Sequence, residues 1–235
     1  MKRKIKAVNK KLIERFGIPV RNKKNPDPVD MLIATILSQN TNDKNSYRAF
    51  KSLKEKYNSW EETAEQPRIK IEKLVKIAGL GKQKSTAIKN FLSSIKKEKG
   101  KVSLNYLKDF SNDEILAELT RYDGVGIKTA SCVLLFSLKR NICPVDTHVH
   151  RTLNRIGVVN TNTPDKTFLA IIDNIPDGIA HSFHTNLIRL GREVCKPSKP
   201  NCSACPLLKI CKYEYKNLNG KTKSKENSFM LLDNV

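Results

Sequence analysis

The 235-residue chain has no uninterrupted apolar run of about 18 residues, the minimum for crossing a bilayer. Its opening residues, MKRKIKAVNKKLIERF, are basic but lack the apolar core of a secretion signal. Aromatic residues make up only 6% of the chain, and no basic helix with a broad aromatic face stands out, which disfavours a membrane-surface role. These absences predict a cytoplasmic protein with no membrane partner, in which six cysteines are not a disulfide framework. Acidic residues are scarce as well. Only 23 Asp plus Glu offset 44 Lys plus Arg, for a formal charge of +21. Self-repulsion of that size is best explained by a polyanionic partner, nucleic acid first.

No pair of alternating segments and no internal repeat is present, so the expected class is all-α. Apolar residues recur at helical spacing in Ile5–Phe16, and Met31–Leu37 reads as a buried helix started by Asp30. Further helices are expected over Lys44–Tyr57, Lys82–Lys99, Ile127–Leu138, Asp146–Leu153, Asp165–Ile175 and Ser182–Glu193. Ser59–Glu62 and Ser111–Glu114 have the pattern of capping boxes. After Cys211 the chain turns polar and lysine-rich.

The most informative stretch is Leu119–Arg151, LTRYDGVGIKTASCVLLFSLKRNICPVDTHVHR. A Gly124-Val125-Gly126 turn between two helical runs exposes backbone N–H groups at a helix start, an arrangement suited to phosphate. By itself such a turn is an ordinary helical hairpin. Lys128 falls in the first turn of the following helix, where the dipole disfavours an ammonium, and a neutral amine can form a Schiff base. By itself it is one lysine among many. Asp146, eighteen residues later, supplies a carboxylate able to stabilise an oxocarbenium-like sugar, and it also suits a helix N-cap. Together the three are the parts of an enzyme that attacks a sugar in DNA.

Cys195, Cys202, Cys205 and Cys211, spaced C-x6-C-x2-C-x5-C, are a four-thiolate set for one metal centre, either zinc or [4Fe–4S]. Cys132, on an apolar helix face, reads as core.

The segments Gly124-Val-Gly-Ile-Lys-Thr-Ala130 and Val145-Asp-Thr-His-Val-His-Arg151 resemble those of the endonuclease III family of helix-hairpin-helix DNA glycosylases, and the likeness runs from Asp30 to Cys211. The resemblance implies a two-lobed helix-hairpin-helix fold with a [4Fe–4S] cluster loop. The expected domains are a helical barrel over 28–140, a cluster domain from 1–27 plus 141–213, and a basic tail over 214–235. It implies a bifunctional glycosylase/AP lyase of base excision repair. Lys128 would displace an oxidised pyrimidine and then cleave the strand by β-elimination, with Asp146 as the essential carboxylate. It assigns Cys195, Cys202, Cys205 and Cys211 to the cluster.

It further places Gln39 or Asn40, Leu80, the Gly124-Val125-Gly126 turn, Lys196 and Lys199 against double-stranded DNA carrying a damaged base or abasic site, with a monomer as the working form. Adenine glycosylases of the superfamily carry a hydroxyl residue at the lysine position, and thymine mismatch glycosylases a tyrosine. A uracil or thymine mismatch glycosylase with weak lyase activity, and a non-catalytic DNA-binding module, are the alternatives. One departure is plain: the family commonly has Leu-Pro where this chain has Tyr122-Asp123.

Overall fold

The computed structural model describes residues 1–21, 24–219 and 235; the expected tail beyond 219 otherwise lies outside them. The described residues form helices and no strand. They divide into two compact units, one made of 1–21 with 141–219, the other of 24–140.

The first unit begins with α1 (Lys2–Phe16), which buries Ile5, Val8 and Leu12 along one stripe. The second unit begins with α2 (Pro28–Leu37). Its start corrects the expectation: the cap is Asp27, not Asp30. The Asp27 carboxylate accepts the N–H of Val29 at 2.8 Å and of Asp30 at 3.3 Å, and Pro28 occupies the first helical position, where no N–H is needed. Asp30 is turned sideways instead, accepting the Trp60 indole N–H at 2.6 Å and the Lys54 ammonium at 3.0 Å. Helix α3 (Asp43–Lys56) is capped by Asn42, and α4 (Trp60–Glu65) by Ser59. The capping box at Ser59 is only half formed. Ser59 accepts the Glu62 N–H, but the Glu62 carboxylate reaches one residue further back, to the N–H of Asn58 at 2.8 Å. Helices α5 (Arg68–Val75), α6 (Gly81–Lys99) and α7 (Asn112–Thr120) follow, the last opened by a complete Ser111–Glu114 box.

Helix α8 (Ile127–Cys132) does not run on as an α-helix to Leu138. From Val133 to Ser137 it widens into a π turn, closed by Leu138 N–H donating to Val133 O at 3.1 Å. Helix α2 is buried on every side from Met31 to Leu37, with α3, α6 and α8 against it. It is the core of the second unit.

The first unit resumes with α9 (Thr147–Ile156), α10 (Pro164–Ile171) and α11 (Ala180–Glu193), and α11 packs against both α1 and α9. The α9–α11 approach is close. A Cβ on Gly191 would stand 2.8 Å from the His148 Cβ, so only glycine admits this packing. Cys132 and Cys143 are both buried, as the apolar setting of Cys132 implies.

Candidate active site

Between α7 and α8 the chain turns through Arg121–Gly126. The unusual Tyr122 is a packing residue: it is buried, its ring meets Phe91 edge-on at 5.1 Å, and its hydroxyl accepts from Arg121. Arg121 is itself paired with Glu98 and Glu118. Burial pushes the Tyr122 phenol up to about 12. Asp123 is left exposed. The two glycines differ in kind. Gly124 has φ +84, and a Cβ there would lie 2.5 Å from the Ala87 Cβ on α6. Gly126 caps α8 with extended backbone, and a Cβ there would meet nothing within 4 Å. Val125 is buried, and its N–H already donates to Tyr122 O at 3.0 Å. What the turn leaves open is therefore the backbone around Gly126.

Lys128 stands in the first turn of α8, half-buried, and its Nζ donates to Ser38 Oγ at 3.3 Å. Ser38, the C-cap of α2, sends its own proton to Thr35 O at 2.8 Å. Its lone pairs are thereby turned toward the amine, which is held by an uncharged acceptor. No short-range pattern singles out Ser38, because the contact spans ninety positions.

Past Ser38, Gln39 is half-buried and Asn40 exposed, the latter at φ 49. Leu80, between Gly79 and Gly81, is 48% exposed at φ 51. Core burial, the ordinary alternative for this leucine, is thus excluded. Beside it runs a groove of about 610 Å³ lined by Leu80, Lys82, Gln83, Asn90, Asp123 and Gly124, among others. Under these loops lies Lys84, 1% exposed, with Nζ donating to Leu37 O and Ala78 O at 2.8 Å each. Sequence reasoning missed it. A usable signal was present, since Lys84 occupies the apolar stripe of α6 with Ala87, Ile88 and Phe91.

In the other unit, Asp146 caps α9: its Oδ1 accepts the Val149 N–H at 2.8 Å, and the side chain is half-buried. His148 lies two residues past that cap. Burial lowers its pKa, against the raising influence of Asp146. Its Nδ1 lies 3.2 Å from Arg151, which also donates to Gly191 O at 2.9 Å and Cys195 O at 3.0 Å. Arg151 thereby ties α9 to α11 and to the start of the cysteine run.

The four cysteines of that run stand on one loop after α11, none of them in a disulfide. Arg155 gathers its ends. Its guanidinium donates to Cys195 Sγ (3.5 Å), Lys196 O (2.7 Å) and Pro197 O (2.8 Å), and stacks over Tyr213 at 4.2 Å. Its carbonyl accepts from the Cys211 thiol at 3.2 Å and from the Lys212 N–H at 3.1 Å. The Cys205 thiol is pushed up to about 12, by burial first and then by Cys195, Cys211 and Cys202 together. Four sulfurs that oppose one another's ionisation form a donor set that a bound cation would relieve. Among the described residues, no group of three or more His, Cys, Asp or Glu is arranged to hold a metal ion. Lys196 and Lys199 are exposed on this loop.

The family model of HhH-GPD superfamily base excision DNA repair proteins matches residues 33–176. The chain belongs to this superfamily. Within it, the chain groups with endonuclease III. Endonuclease III of Thermotoga maritima is 34% identical over 223 residues, 94% of this chain and 98% of that protein. A relative from Arabidopsis thaliana named as a DNA glycosylase is 37% identical over 174 residues, and the match spans 59% of that longer protein. A solved structure of a trapped covalent endonuclease III–DNA intermediate has a TM-score of 0.76 and 25% identity, covering 90% of this chain and 96% of that one. The all-α, endonuclease III-type helix-hairpin-helix fold expected from the sequence is the fold found.

Proposed function

We propose that this HhH-GPD protein is a bifunctional DNA glycosylase/AP lyase of base excision repair that removes oxidised pyrimidines. The observation that carries the reading is the Lys128 amine, set in the first turn after the hairpin and held by the outward lone pairs of Ser38. In this reading the amine bonds to the anomeric carbon while the glycosidic bond breaks, and the base leaves with the bonding electrons and takes up a proton. The sugar ring opens to an imine. Loss of a proton from the adjacent carbon then expels the 3′ phosphate, which cleaves the strand. Asp146 stabilises the positive charge of the first step and assists deprotonation of the amine; its Oδ1 contact with Val149 fixes the carboxylate in place.

DNA is held by the hairpin backbone around Gly126 and by Lys196 and Lys199. The gap left by the extruded nucleotide is filled by Asn40, with Gln39 beside it, and by Leu80. The exposure of Asn40 and Leu80 supports that assignment. We read residues 28–140 as the barrel domain and 1–27 with 141–213 as the cluster domain of a cytoplasmic, nucleoid-associated monomer. Cys195, Cys202, Cys205 and Cys211 would hold a [4Fe–4S] cluster, which when bound supplies a covalent cross-link of the loop.

The test is borohydride trapping on a thymine-glycol duplex. Wild-type protein forms a covalent adduct and Lys128→Gln does not, whereas an undiminished adduct in the variant makes another amine the nucleophile. A broad visible absorbance that disappears with iron removal accompanies active protein; zinc in place of iron overturns the cluster assignment.

A further inference from the structure

The loop Ser38–Asn40 and the loop Gly79–Gly81 come from distant parts of the second unit, yet both start from a carbonyl held by one side chain. Lys84 Nζ binds Leu37 O, immediately before Ser38, and Ala78 O, immediately before Gly79. The Lys84 backbone N–H closes the second loop by donating to Leu80 O at 2.9 Å. Each loop also carries a non-glycine residue in the left-handed region, Asn40 at φ 49 and Leu80 at φ 51. Such backbone persists only where its surroundings over-determine it, and Lys84 is the group common to both surroundings. An ammonium in the core of a helical unit is costly, and burial pushes this one down to about 8. Aliphatic packing on the α6 stripe needs no such group. Its use is the pair of carbonyls.

We propose that Lys84 is a positioning residue that locks the two gap-filling loops into one preformed wedge. This rests on the glycosylase reading above and deepens it. Nucleotide extrusion requires both loops to enter the stack together. Loops that had to be ordered separately would draw that ordering entropy from the binding step, and a prejoined wedge does not. Lys84 touches neither base nor sugar in this account and acts only through main-chain oxygens.

The experiment compares wild type, Lys84→Met and Lys84→Arg on two substrates. One is a duplex with thymine glycol beside 2-aminopurine, whose fluorescence reports unstacking. The other is a single strand with a ready-made abasic site, which needs no extrusion. With both variants folded by thermal melt, K84M loses about tenfold or more in duplex excision and in the 2-aminopurine rise, the scale of the ordering cost that separate loops would draw from binding. Its β-elimination on the single strand changes by less than about threefold, and K84R, which keeps several donors, recovers most of the duplex loss. Equal losses on both substrates, or none, overturn the proposal.

If K84M does not fold, amide exchange in the wild type decides. The Gln39 and Gly79 amides, bonded to Ile36 O and Lys76 O, exchange with one shared opening equilibrium if Lys84 joins the loops. Openings that differ by more than about tenfold overturn the lock. Failure of the glycosylase reading itself is distinguishable, because wild-type protein then excises nothing while the exchange result stands.

Discussion

The two glycines of the hairpin turn allow fold and function to be separated. In Gly124→Ala the backbone must keep φ +84, which costs an L-residue about 1–2 kcal/mol. The new methyl also arrives 2.5 Å from the Ala87 Cβ, and overpacking of this kind costs about 1–3 kcal/mol. The combined loss of about 2–5 kcal/mol lowers the melting temperature by about 4–20 °C in a chain of this size. Gly126→Ala adds its methyl to open space at φ −89, so stability stays within about 1 kcal/mol of wild type. In the proposed DNA-bound state that methyl stands where a phosphate approaches, and affinity for duplex falls.

The assays are thermal melts and fluorescence-anisotropy titrations of both variants. Ala87→Gly supplies the control. Alone it costs about 1 kcal/mol as a mid-helix glycine. Combined with Gly124→Ala it removes the contact but not the φ strain, so the double variant is more stable than the sum of the two by about 1–3 kcal/mol. A Gly124→Ala protein that melts with the wild type, strict additivity with Ala87→Gly, or a Gly126→Ala protein that unfolds as early as Gly124→Ala would each refute the reasoning.

Asp146→Asn keeps a competent N-cap while removing the carboxylate, so its melt stays near wild type as excision collapses; Asp146→Ala loses about 1 kcal/mol in addition. An Asn variant with normal excision rates would show that the carboxylate serves the helix alone. Burial lowers the pKa of both His148 and His150. The unfolded chain therefore binds protons first, and stability falls as pH drops below about 6.5 toward the lower folded-state values. Melts recorded from pH 7.5 to 5.5 check this, and a flat profile contradicts it. Lys196→Ala weakens binding to all DNA sequences alike and reduces the salt slope of log K by about 1; an unchanged slope removes Lys196 from the phosphate contacts.

Much of this arrangement was legible because it is local. Helical spacing found α1 and α3, the Ser111–Glu114 box forms in full, and the turn, Lys128 and Asp146 lie where short-range patterns put them. What escaped depends on partners far away. Asp27 and Asp30 are both plausible caps by type, and the choice is made by Trp60 and Lys54 drawing Asp30 aside. The π turn after Cys132 has no residue signature in a uniformly apolar run. Lys84 belongs by type on the surface, and only carbonyls 47 and 6 positions away make its burial tolerable. Tyr122, part of the departure from the family pattern, anchors the hairpin to α6 through Phe91.

Arg155 has a consequence for how the cysteine loop opens. One side chain grips Cys195, Lys196 and Pro197 at the near end while its own carbonyl holds Cys211 and Lys212 at the far end. The seventeen residues from Cys195 to Cys211 are a noose with its knot already tied, and closing a loop of that length forgoes about 2.5 kcal/mol of chain entropy. Such a loop does not fray gradually from either side. Its closure rests on Arg155 at both ends, with Arg151 as a second hold on Cys195.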